Sequence, residues 1–291
     1  MVRLSFGPRC EWCADYLAAL ALAEPPRMCS ATHVVLPKFF LQRFRLLTRP
    51  ETTESWWIAQ DLQKWQPPVE GESGHGPKAG KATGPAAYFL SREDLMDAFV
   101  TRHSPYLGKQ RALMRQSVRS SSPLMSALHL AVWREDMGSF LLEIMRRRVV
   151  DGLLYYAELV EKAERRYLIK CDTWDEVKRY NHRGCLLSLG DLDTDPTAVE
   201  SPERSTTAAL SPLSTLSIDS IRYNGKLAVH NMRSLLTEEH LHRLRMESPV
   251  FRDGSLFLLG RRRTTDLQHL LWKLQGYTSH SHVPNEVDPP K

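Results

Sequence analysis

The chain has 291 residues, 42% hydrophobic and 25% charged, with a net charge of +5 and a pI near 9.0. These values lie in the globular range and exclude a wholly disordered chain, a collagen-like one and a disulfide miniprotein. No apolar run approaches the roughly 18 residues that cross a bilayer, so no membrane span is expected.

Residues 1–32 form an N-terminal segment with two competing readings. Leu17 to Ala23 is a short apolar run, and Ala21-Leu22-Ala23 mimics a signal-peptidase site. Glu11 and Asp15 precede it, where a targeting peptide should be basic or apolar. Arg3 and Arg9 come before any acid, which keeps a mitochondrial transit peptide in view. The same segment carries Cys10-x2-Cys13, followed by Cys29-x3-His33. Three thiolates and an imidazole could hold a zinc ion tetrahedrally, at a permitted spacing. Against zinc, the Ala- and Leu-rich stretch between the pairs reads as a helix opened by Cys13, with Cys29 beyond Pro25-Pro26. The five cysteines are an odd number, so reduced thiols are expected rather than a disulfide framework.

Residues 33–65 read as a β-hairpin segment, with strands over 43–48 and 55–59. Residues 66–85 form a Gly-, Pro- and Lys-rich linker. An α+β core is expected over 86–190. It opens with a short strand, 87–90, and Ser91 as the N-cap of a helix whose first turn holds Glu93 and Asp94. Further helices are expected over 108–119 and 124–149, the latter continuing towards Arg165. A strand at 167–171, a short helix at 173–180 and a strand at 185–189 follow. Residues 191–219 form an acidic linker rich in Ser and Pro. It holds six acids against Arg204, so the remaining chain carries +10. The C-terminal α+β segment spans 220–277. It contains a hairpin turned at Asn224-Gly225, a helix near 233–246, a buried strand at 256–259 and a helix from Thr264 to Gln275 closed by Gly276. Residues 278–291 read as a disordered tail. The whole is an α+β fold: a mixed sheet, shared by three segments and packed with helices, interrupted by two disordered insertions.

Ser126-Ala127-Leu128-His129-Leu130-Ala131 resembles the opening of an ankyrin repeat, with Ala127 in place of proline. Gly138 and Leu141-Leu142 stand where that family places its second helix. The resemblance covers about one repeat, near 122–146, and nothing similar lies 33 residues to either side. A lone repeat cannot bury its own face, so the segment is read as an ordinary helix.

The functional signal is arginine, which supplies 28 of the 39 basic residues. Its planar fork grips phosphate and carboxylate. Arg-rich codon usage explains the same number without any function. Arg111, Arg115 and Arg119 are spaced to share one helix face, which could track a phosphate backbone. Arg261-Arg262-Arg263 precedes a helix N-terminus, whose free N–H groups also attract anions. Arg146-Arg147-Arg148 is a further cluster. Trp56, Trp57 and Trp65 with Tyr88 could stack bases beside Arg43 and Arg45. Adjacent tryptophans in a strand point to opposite faces, so one is core, and the other is read as covering a helix. No G-x-S-x-G, H-E-x-x-H, G-K-[ST] or G-x-G-x-x-G occurs. A His182–Cys185 dyad is the nearest approach to a nucleophile and base, though residues 181–184 read better as a helix stop.

The expectation is a non-enzymatic RNA- or ribonucleoprotein-associated factor with a basic surface, acting in mitochondrial gene expression. A protein–protein scaffold or assembly factor, and an enzyme with a dispersed site, are the alternatives. RNA is the expected partner, with protein partners second. No cofactor is expected apart from the candidate zinc. The mitochondrial matrix is the first location, and cytoplasm or nucleus the other.

Overall fold

The computed structural model describes residues 13–48, 55–60, 62, 86–108, 131–163, 166–180, 184–190, 215–220, 223–260 and 262–279. All but the first residue of the expected helix at 108–119, the 66–85 linker and most of the 191–219 linker lie outside them. Helices pack against mixed sheets, an α+β architecture.

The first element is helix α1, Cys13–Ala23, made of strong helix formers and ended by Glu24-Pro25. Strands β1 (Pro26–Met28) and β2 (Val35–Pro37) pair antiparallel. The turn between them docks on strand β5 (Ala86–Leu90): Ser30 N–H donates to the Tyr88 carbonyl at 2.7 Å, and Leu90 N–H donates to Cys29 Sγ at 3.2 Å.

After a 3-10 turn at Lys38–Phe40, strand β3 (Leu41–Thr48) pairs with β5 and with β4 (Ser55–Ala59), both antiparallel. Strand β6 (Ala131–Val132) adds in parallel to β4, giving the order β5-β3-β4-β6. The inner face of this four-stranded sheet carries Phe44, Trp57 and Phe89. They meet Phe99 and Trp133 edge-on or tilted, at centroid distances of 5.0–6.3 Å.

Helix α2 (Glu93–Ala98) and the 27-residue helix α3 (Met137–Ala163) cover that face. Leu141, Met145, Val149 and Leu153 recur every fourth residue on α3 and are buried. The helix begins later than the sequence suggests, because Ala131-Val132 is spent on the sheet edge. It does run through Gly152, as expected, and ends at Ala163. Gly138, Leu141 and Leu142 open this single long helix, while residues 122–130 lie outside the described part.

The second sheet has five strands in the order β7-β11-β8-β10-β9. They are β7 (Leu168–Cys171), β8 (Gly184–Ser188), β9 (Thr215–Ser220), β10 (Tyr223–Asn231) and β11 (Leu256–Gly260). Strands β8 and β10 are parallel, and the other pairings are antiparallel. All five residues of β8 and of β11 are buried, because both faces of the sheet are covered. Cys185, Leu187, Phe257 and Leu259 join the large core. Leu186, Leu227, Val229 and Leu258 form a smaller cluster with Val177 of helix α4 (Trp174–Val177).

Helices α5 (Met232–Leu235), α6 (Glu238–Glu247) and α7 (Pro249–Arg252) connect β10 to β11. After a 3-10 turn at Arg262–Thr264, helix α8 (Thr265–Thr278) packs along α3.

Five details depart from the sequence reading. The described strands form two main sheets rather than one shared sheet. Thr215–Ser220, where the acidic linker should end, is a strand. Asn224 and Gly225 lie within β10, opposite Asp219 and Ile218, and not at a turn. That register sets Leu227 against Leu216, whereas a turn at Asn224-Gly225 would set it against Arg222. The 233–246 helix is broken at Thr237, whose hydroxyl accepts the His240 N–H. The break resets the helical phase, so that Leu235, Leu236, Leu241 and Leu244 all face the core. Helix α8 runs past Gly276 to Thr278, because Tyr277 is buried and its hydroxyl donates to the Gly138 carbonyl at 3.0 Å.

Candidate nucleic-acid interface

Alternation along β3 sends Gln42, Phe44 and Leu46 inward and Arg43, Arg45 and Leu47 outward. Antiparallel register then decides their neighbours. Arg43 lies opposite Tyr88, Arg45 opposite Ile58, and Leu47 opposite Trp56. The outer face therefore sets two cations between aromatic and aliphatic side chains. Trp57 is buried, while Trp56 stays 39% exposed instead of covering a helix. Ile58 and Leu47 are exposed beside it.

The arginines are half-buried, and the Arg43 guanidinium sits 5.9 Å from the Tyr88 ring centroid. Among the described residues, the shielded Nε of Arg43 and of Arg45 has no hydrogen-bond partner. No acidic residue occupies an outward position of β3, β4 or β5. Such a face can stack a flat ring on Trp56 while the guanidinium groups meet anionic oxygens.

The arginines singled out from sequence are placed differently. Arg111, Arg115, Arg119 and Arg261 lie outside the described residues. Arg262 is in the 3-10 turn before α8. Arg263 donates to the Tyr167 hydroxyl at 3.4 Å, and its carbonyl accepts from Tyr156. Thr264 does not cap α8 with its side chain; it donates to the Gly260 carbonyl and accepts from Gln268. Asp266 already supplies a carboxylate to that first turn. The Arg146–Arg148 run is engaged within the fold: Arg146 donates to the Leu235 carbonyl at 2.8 Å, and Arg147 pairs with Glu143 at 2.8 Å.

For zinc, Cys10 lies outside the described residues and Cys13 opens α1. Cys29 is fully buried with its sulfur on Leu90 N–H, while His33 is exposed with φ of 59°. Among the described residues, no three His, Cys, Asp or Glu side chains gather to hold a metal. His182 lies outside the described residues, and complete burial pushes the Cys185 thiol far up, away from the thiolate.

One arrangement escaped the sequence reading. His240 Nδ1 is 2.6 Å from Thr237 Oγ1, and its Nε2 is 3.5 Å from Glu143. The order hydroxyl, imidazole, carboxylate suggests a relay. Thr237 Oγ1, however, also accepts the His240 N–H as the cap of α6. Burial is the largest influence and lowers the His240 pKa against the opposing pull of Glu143, with the nearby arginines adding to the lowering. The set organises a helix start. It was invisible in sequence because Glu143 belongs to α3, far back along the chain.

No protein-family model, curated protein or solved structure matches the chain.

Proposed function

We propose that the protein is a non-enzymatic RNA-associated factor that takes single-stranded RNA on the outer face of its four-stranded sheet. The observation that carries this reading is the alternation of Arg43 and Arg45 with Tyr88, Trp56 and Ile58 on the outer side of strands that themselves hold no acidic residue. Single strands suit it because their unstacked bases can lie on Trp56 while phosphates reach the arginines. The basic balance of the chain outside 191–219 favours the same partner. A mitochondrial site of action belongs to the same proposal.

The test is fluorescence anisotropy of the full chain with a labelled single-stranded RNA at about 50 and 200 mM salt. Affinity should fall by at least about an order of magnitude across that range. Arg43→Gln with Arg45→Gln should reduce the log–log salt slope by roughly 1.4, the loss of two phosphate contacts on a single strand. Trp56→Ala should weaken binding by roughly 1–3 kcal/mol at either salt. No binding at the lower salt, or unchanged binding by both variants, overturns the proposal. A chain that ignores RNA but captures a protein through Leu47, Trp56 and Ile58 would be the scaffold instead.

A further inference from the structure

Where the 3-10 turn before β3 approaches α8, the structure contains a cleft of about 480 Å³. That is within the ~300–1,000 Å³ usual for small-molecule sites. Phe39, Phe40, Leu90 and Trp272 supply its apolar walls. None of Arg43, Arg45, Trp56 or Tyr88 lines it, so it is independent of the RNA reading.

Its polar residues are Ser91, Arg92, Lys273, Gln275 and Ser279. Ser91 would be the N-cap of α2 on sequence grounds, but that position falls to Arg92, which makes no side-chain cap. Ser91 is 7% exposed and lines the cleft, and among the described residues its Oγ has no hydrogen-bond partner. A buried hydroxyl without a partner destabilises the fold unless something meets it. Two cationic side chains, Arg92 and Lys273, share the lining. Arg92 is held in place by Asp94 at 3.3 Å and by the Ser279 carbonyl. Among the described residues, no carboxylate side chain lines the cleft.

The α8 wall has a gap at Gly276. This residue lies inside the helix, where glycine is a poorer helix former than alanine. A Cβ added there meets nothing within 4 Å. The helix thus tolerates a side chain at this position, and its absence leaves the cleft open.

We propose that this cleft binds a small amphiphile with an apolar body and a carboxylate head. The body lies between Phe40 and Trp272. The head takes the Ser91 hydroxyl as a donor and the Arg92 and Lys273 charges as its counterions. Binding is non-covalent, and no bond is made or broken.

The test is calorimetric titration of the full chain with decanoate, 1-decanol and decylamine. Decanoate should bind saturably at one equivalent. Decanol and decylamine, which share its tail, should bind at least tenfold more weakly. Gly276→Phe should abolish decanoate binding without lowering the melting temperature. Lys273→Met should bring decanoate and decanol closer together. No saturable decanoate binding overturns the proposal. So does equal binding of decanol or decylamine, which would make the cleft an unselective greasy surface. Decanoate binding that survives Gly276→Phe in the folded protein places the ligand elsewhere and also overturns it. Should that variant fail to fold, the three-headgroup comparison on the unaltered chain still decides.

Discussion

His230 is fully buried on β10, and neither ring nitrogen completes a hydrogen bond of ordinary geometry among the described residues, although Gln275 lies close enough to favour the charged ring. Burial is the larger influence and pushes its pKa down to about 4. An unfolded chain protonates this imidazole near pH ~6.5, so between the two values the unfolded state binds more protons. The stability is therefore complete above about pH 6.5 and is lost as pH falls towards about 4. The full loss is roughly 3 kcal/mol. Urea unfolding at pH ~7, above that window, and at pH ~4.5, near its lower end, checks this: His230→Phe should lose clearly less stability on acidification than the parent chain. An equal loss in both would clear His230 of the effect. The sequence shows a histidine in an apolar strand but not that Gln275, far along the chain, lies beside it. The same limit applied to Trp56. Alternation established that one of two adjacent tryptophans is outward. Only the cross-strand register placed it on one face with Arg43 and Arg45.

Helix α3 starts against helix α2 through a contact with no slack. Asp97 accepts the Gly138 N–H, and a Cβ added at Gly138 would fall 2.2 Å from Asp97 Oδ1. Alanine is the better helix former by roughly 1 kcal/mol, so Gly138→Ala would stabilise an isolated helix. Here it should destabilise the protein by about 1 kcal/mol or more, because the carboxylate must leave the N–H it serves. In the Asp97→Ala background the same substitution should cost less, and urea denaturation of the four chains measures that coupling. Elements were legible where their apolar period is strong, as at 55–59, 86–90 and 256–260. Their ends were less so. Gly276 and Asn224-Gly225 carry strong local stop and turn signals, but burial of Tyr277 on α8 and of Leu227 on β10 outweighs them.

At the scale of the molecule, β8 joins two cores. Cys185 and Leu187 face the large one, which holds Trp57 and Trp133, and Leu186 faces the small one, against which Trp174 packs. Neither cluster can come apart without uncovering a face of that strand. Urea unfolding followed by tryptophan fluorescence and by far-UV circular dichroism should coincide in one transition. Leu186→Ala should shift both curves together, by roughly 2–5 kcal/mol. Separate midpoints would mean two independent units. The α+β class was readable from strands alternating with helices. The division into two sheets was not, since pairing of distant strands leaves no local trace. The strand order has one more consequence. Only β10 separates β8 from β9, and Ser188 and Thr215 lie opposite Asn231 and Ala228, so residues 189–214 depart and return about two strand spacings across and three residues along, roughly 14 Å apart. Lengthening a connection between such closely held ends costs only slowly growing closure entropy. In evolution, and for anyone splicing a reporter domain into this protein, that is the place where added length leaves the register of both flanking strands to β10.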